Sequence, residues 1–290
     1  MKICKNEITD YSSANFTEDE PEWLVGNLYN VGDEARDDHY IYKYAGVDNT
    51  NTATKPSLNP IQWKQNRTSN YYAMLGDKTN EQTENPDEII IEIQSSTADV
   101  LALLNVDADT IRVQILGTDY DETIDMTQRV VYDWSSFWFA PFLLRKNVYL
   151  EIGYRLNVTI KITATKTGGI AKIGRLVNGT GIYLGDSLFG TSFDLQTYTG
   201  ETTDQFGAKT DNVTGSVFNG AYPISLPSQN VEIVKQYRKD FDNIPILFIG
   251  DEQEESVFRN LLSYGKWQKA GITLQDPSYS SMELTIKELL

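Results

Sequence analysis

The chain has one cysteine, Cys4, and one histidine, His39, in 290 residues. A single thiol forms no internal disulfide and no thiolate zinc site. A single imidazole makes no metal cluster by itself, and a Ser-His-Asp relay would have to use His39. No G-x-S-x-G elbow is present. Positive charge is also scarce: 25 Lys and Arg against 41 Asp and Glu give a net charge of −16. Such a chain repels nucleic acid and anionic membrane, which argues against DNA packaging or repression. No apolar run approaches the length that spans a bilayer, and the longest patches are Phe137 to Leu144 and Ile244 to Ile249. No membrane insertion is expected. Met1 to Lys5 has no apolar core behind it, so no secretory signal is expected, and synthesis in a cytoplasm is.

What is present is the composition of a folded protein, 40% hydrophobic and 11% aromatic. Carboxylates are abundant, but most fall in polar loops or alternate with apolar residues, as Glu92 does between Ile91 and Ile93. That is the pattern of a solvated strand face. Asp119, Asp121, Glu122 and Asp125 look like calcium ligands, yet the glycine and closing glutamate of an EF-hand loop are missing. The glycines from Gly168 to Gly190 suit turns and close backbone approach. Their order is not that of a phosphate loop, and no helix follows. No catalytic set, metal or cofactor is expected.

Along the chain, residues 1–20 read as a polar arm that orders only against something else. Residues 21–79 are rich in aromatics. Gly32-Asp33 suits a tight turn. Alternation over 39–44 puts Tyr40, Tyr42 and Tyr44 on one face of a strand, with a closing strand near Trp63. A module this short must bury aromatics, and any left over would form a stacking platform. Residues 80–87 read as a linker containing Pro86. Strands are expected at 88–93, 100–106, 110–116, 120–126, 148–152 and 156–163, the spacing of an antiparallel sandwich. Between them, Trp134, Phe137, Trp138, Phe139 and Phe142 lie on an expected loop that either caps the sandwich or meets a partner. Residues 196–229 read as a long loop or protruding arm. A helix is expected at 230–239 from the spacing of Val231, Val234 and Tyr237, a buried strand at 244–249, a helix at 254–264, and strands at 272–274 and 281–286. The fold class is mainly β: an aromatic β module (21–79), an antiparallel sandwich (80–190), and an arm with a small α+β unit (191–290).

The order Trp23, Tyr29-x-x-Gly32-Asp33, Tyr40/Tyr42/Tyr44, Pro56, Pro60 and Trp63 resembles small chitin-binding type modules of carbohydrate-binding families 5 and 12. Asn70-Tyr-Tyr-Ala-Met-Leu-Gly-Asp77 follows, then a β-sandwich, the turn from Gly181 to Gly190, and an α/β end from Val231. That order resembles structural proteins of tailed-phage and prophage tails. The resemblance implies a non-enzymatic tail component, located in the virion and made in a host cytoplasm. It would form a homo-oligomer or ring, contact other tail proteins, and link the tail body to further parts or fibres. The alternative it implies is a carbohydrate-binding protein that recognises a bacterial surface glycan through Tyr40, Tyr42, Tyr44 and Trp63. The aromatic segment Trp134 to Phe142 would be a contact between subunits.

Overall fold

Two long, bent strands, Thr83–Asp107 and Val148–Gly179, carry the centre of the molecule. The computed structural model describes every residue except 48–49, 52, 129–132, 140–142, 204–208, 251–261 and 290. The first strand covers two expected strands and most of the expected linker. Pro86 is tolerated inside it because the ladder shifts register between Thr165 and Ile170, beside the Ile170–Pro86 pair. The second strand bends at Gly153 (φ +72°), where the register also shifts.

The two strands wrap the sheet back on itself. Lys172 pairs with Glu84 on one side and Asp107 on the other, so one strand lies between two parts of its partner. Thr110–Ile115 continues along Val148–Gly179, and Asp121–Asp125 completes that edge. The result is a coiled, sandwich-like antiparallel body. Its core contains Ile89, Ile91, Ile93, Leu101, Leu103, Ile111, Val113, Ile160 and Ile162. These alternate along their strands, as one buried face requires.

The amino-terminal residues are woven through this body rather than free. Lys2–Cys4 pairs with Gly181–Tyr183 and with Ile246–Ile249. Ser13–Ala14 pairs with Glu92 and Ile91, and Ile8, Tyr11 and Phe16 enter the central core. Asn178, fully buried, fastens the segment: its backbone N–H donates to Asn6 Oδ1 at 3.0 Å and its carbonyl accepts from Glu7 N–H at 2.9 Å. A Cβ on Gly179 would lie 2.4 Å from the Lys5 carbonyl, so glycine is what lets the two chains approach.

The carboxy-terminal sheet runs Gly181–Tyr183, Lys2–Cys4, Ile246–Ile249, Leu262–Leu274, Tyr279–Glu288, Lys209–Pro227 and Asp186–Ser187, with Ser192–Thr203 also on Lys209–Pro227. Helix Val231–Asp240 covers one face through Val231, Val234 and Tyr237, near the expected limits. On the other face Leu247 and Ile249 pack on Val100, Ala102, Leu104 and Val177, joining this sheet to the central body. Two expectations change here. Residues 262–264 are strand rather than helix, and 254–261 lie outside the described residues. The expected loop at 196–229 is largely a paired hairpin, Ser192–Thr203 with Lys209–Pro227.

Candidate functional site: two aromatic clusters

The aromatic module is a three-stranded sheet, Glu34–Asp37, Tyr40–Tyr44 and Trp63–Thr68. Gly32, at φ +100°, makes the expected turn, and its N–H donates to the Tyr44 carbonyl at 2.9 Å. Tyr29, Ala35, Tyr42, Tyr44 and Trp63 form the module's core, with Trp23 packed against it. The Trp63 ring lies 5.0 Å from both Tyr29 and Tyr44. Tyr44 donates its hydroxyl to the Val47 carbonyl at 3.2 Å. A Cβ on Gly46 would meet that hydroxyl at 2.4 Å.

The rings expected to stack on sugar are therefore mostly this core. Tyr44 and Trp63 are each 1% exposed and Tyr42 9%, whereas Tyr40 is 40% exposed. Strict alternation would treat all three tyrosines alike. The ladder slips between Ile41 and Tyr42, which face Arg67 and Gln65, so Ile41 and Tyr42 are buried as neighbours and Tyr40 lies beyond the slip. Asp37 is buried at the end of this sheet. Burial by itself would raise its carboxyl, but hydrogen bonds from the Ser57 hydroxyl (2.6 Å) and N–H (3.1 Å), with Lys55 nearby, hold it below the ordinary value.

The second cluster has the opposite character. Trp134–Phe139 is a short helix rather than the expected loop. It lies in sequence between Thr127–Gln128 and Leu143–Leu144, which pair antiparallel. Trp134 is 76% exposed, Phe137 42%, Trp138 61% and Phe139 83%. Trp134 and Phe137 stack at 5.9 Å, and Trp138 meets Phe137 edge-on at 5.2 Å. Trp134, Phe137 and Trp138 touch one another, and all four rings are exposed. Phe142, the fifth expected contact residue, lies outside the described residues.

Between the module and the central body lies a polar cleft of about 580 Å³, bordered by Asp19, Arg67, Asn70, Glu81 and Glu84. Arg67 pairs with Asp19 and lies 3.7 Å from Glu20 and 3.6 Å from Glu34. Burial raises the Glu20 carboxyl, and the Glu34 and Asp19 charges raise it further. Asn70 shows what the Asn70–Asp77 motif does. Its amide donates to the Thr17 and Glu84 carbonyls at 3.1 and 3.0 Å and accepts from the Glu84 N–H at 2.8 Å. Ala73 and Met74 are buried behind it. The motif is thus a clamp between module and body.

The remaining reactive side chains are held in structural roles. Burial, then Glu7 and Asp99, push the Cys4 thiol up to about 12, so the thiolate is not populated at neutral pH. His39 is half-buried, packed edge-on against Tyr72 and 3.4 Å from the Asp38 carboxylate. Asp121 forms a paired contact with Arg112, and Glu122 accepts the Tyr120 hydroxyl at 2.8 Å. Among the described residues no three His, Cys, Asp or Glu side chains are grouped to hold a metal, and no helix is long and apolar enough to cross a membrane. Arg175, which no sequence pattern singles out, is buried over the Tyr264 ring at 5.0 Å and donates to the Gly76 carbonyl. No family model, curated protein or solved structure matches the chain.

Proposed function

We propose that the chain is a non-enzymatic structural component of a phage tail that acts by protein contacts, with Trp134, Phe137, Trp138 and Phe139 as its principal docking element. The observation that carries this reading is the exposure of four large aromatics on one short helix. Large aromatics are enriched at the centres of protein interfaces, where they bury much area at little entropic cost. An apolar cluster of this kind left in water marks a contact site. The resemblance of the motif order to tail structural proteins supplies the setting, the virion tail, and the partners, other tail proteins. The glycan-binding alternative is less well supported, because three of its four proposed rings are core residues.

The test is Trp138→Glu, made in the genome that encodes the chain. The expected outcome is a soluble, folded protein that is lost from purified tail particles, read by mass spectrometry of the particles. Normal incorporation of the variant removes the aromatic helix as the docking element. Release of reducing ends from bacterial polysaccharides by the wild-type chain, abolished by a single carboxylate-to-amide change, removes the structural reading.

A further inference from the structure

The strands Leu262–Leu274 and Tyr279–Glu288 set two lysines directly opposite each other, Lys266 against Lys287. The ladder then shifts between Trp267 and Lys269, passes over Gln268, and sets Lys269 opposite Thr285. The pairs Trp267–Ile286 and Ala270–Leu284 point into the core under the Val231–Asp240 helix. The pairs Lys266–Lys287 and Lys269–Thr285 therefore point to the other face. Strict alternation would put Gln268 on that face in place of Lys269. The bulge thus gathers three lysines on one face, in two neighbouring rows.

That face begins as part of the core. Tyr264 and Leu289, on the same two strands, pack toward Val100, Leu104 and Val177 of the central body. One step along, the cover ends: Lys269 and Lys287 are exposed and Lys266 is half-buried. Like charges directly opposite one another on a sheet repel. None of the three lysines forms an ion pair among the described residues. The carboxylates that share the face are Glu283, opposite Gly271, and Asp194, which lies beyond Asn219 on the Lys287 row. In a chain with 25 basic and 41 acidic residues, three adjoining lysines without a carboxylate run against the composition.

A shallow groove continues from the lysines. Thr285 lies between Lys269 and Ala221. From Ala221 a space of about 420 Å³ extends over Ser192, Pro223, Gly271 and Ser281, with Glu283 beside it. These residues are mostly small, and a Cβ added to Gly271 would meet nothing within 4 Å. A main chain can therefore lie close to the sheet.

We propose that this face seats an extended segment of a partner protein, with carboxylates at one end of the segment on Lys266, Lys269 and Lys287 and its small, neutral remainder in the groove. Carboxylates at that end replace the repulsion between Lys266 and Lys287 with attraction. Glu283 repels acidic residues further along, so it fixes which end of the segment carries the charge. The net charge of −16 repels a long polyanion or an anionic bilayer. A segment charged only at one end meets the lysines within a screening length, where the nearest charges decide. The surface is separate from the Trp134–Phe139 helix and does not rest on it.

The test follows the fluorescence anisotropy of a labelled synthetic peptide, Ser-Gly-Ala-Ser-Gly followed by three aspartates, titrated with the full chain. The wild type is expected to bind, and to bind less well as salt is added. The same peptide with asparagine in place of aspartate is expected not to bind. Lys266→Gln combined with Lys287→Gln is expected to weaken binding roughly tenfold, the effect of losing a few exposed ion pairs. That variant is expected to melt at or above the wild-type temperature, because the like-charge pair is gone. Trp138→Glu is expected to bind as the wild type does, so this surface and the aromatic docking element are read separately. A wild type that does not bind the peptide overturns the proposal. Equal binding of the double variant, or of the asparagine peptide, does so too. A double variant that melts below the wild type shows that the lysines already serve contacts within the fold, and also overturns it. Lysine-dependent binding to phosphatidylglycerol vesicles without binding to the peptide assigns the face to a membrane and overturns the protein partner.

Discussion

The same residue types have opposite fates in the two aromatic clusters. In the module, Tyr29, Tyr42, Tyr44 and Trp63 are buried among themselves. In the Trp134–Phe139 helix, four rings of similar size stay in solvent. The difference lies in what opposes each ring. Strand pairing sets Tyr44 beside Trp63, and the turn at Gly32 folds Tyr29 over both, so every ring has a neighbour. The helix is six residues long, too short to lay one face along a second layer, and Trp134, Phe137 and Trp138 pack on one another while exposed. An aromatic cluster is a core when the topology provides a second wall. Without one it stays at the surface.

The largest expected effect tests the core side of this contrast. Trp63→Ala should destabilise the module by roughly 3–5 kcal/mol, as aromatic-to-alanine changes in cores do. The measurement is a denaturant titration followed by the near-UV signal of the tyrosines. A loss below about 1 kcal/mol would mean that the surrounding rings do not form one packed unit.

A middle-sized effect comes from Asp37, whose folded carboxyl is held below its ordinary value. A group lowered on folding stabilises the native state above its unfolded value, near 3.8, and loses that contribution as pH falls through the lower folded value. Melting curves of the wild type should therefore fall in acid below that point. Asp37→Asn should flatten this limb and cost on the order of 1.5–3 kcal/mol at neutral pH, the range for hydrogen bonds to a charged group. An unchanged acid limb in the variant would assign it to other carboxylates.

The smallest effect tests the exposed side. Phe139 is 83% exposed, so Phe139→Ala should leave stability within about 0.5 kcal/mol, as surface changes generally do. A loss of core size at this position would show that the helix is covered within its own chain, and the contrast between the two clusters would disappear.

Much of the fold was legible because it depends on local pattern. The alternation over 110–116 and 281–286, the helical spacing of Val231, Val234 and Tyr237, and the continuous apolar run at 246–249 each match the element found. Two of the misreadings come from pairing between residues far apart in sequence. Residues 80–87 look like a linker, yet Thr83 onward is strand, because Ile170 to Ile173 supply its partner. Residues 1–20 look like a free arm, yet Ile3 is fully buried beside Phe248 on the adjacent strand. The proposed sugar platform was misjudged for a related reason. The register slip between Ile41 and Tyr42 is a property of the Trp63–Thr68 partner strand, which periodicity within 40–44 does not encode.

By itself the sequence determined a mainly β chain with two concentrations of aromatic residues, a strongly acidic balance and the amphipathic helix Val231–Asp240. Composition and two- or nearly four-residue periodicity act over a few neighbours, and they are complete in the sequence. Only the tertiary structure decided which aromatics are core and which are surface. It also decided that the first strand of the chain lies within the last sheet, and that Ser192–Thr203 and Lys209–Pro227 form a paired hairpin. Burial and edge exposure are set by what packs opposite, and in this chain the opposing residue is often far away in sequence, as Lys172 is from Glu84 and Lys2 is from Ile249.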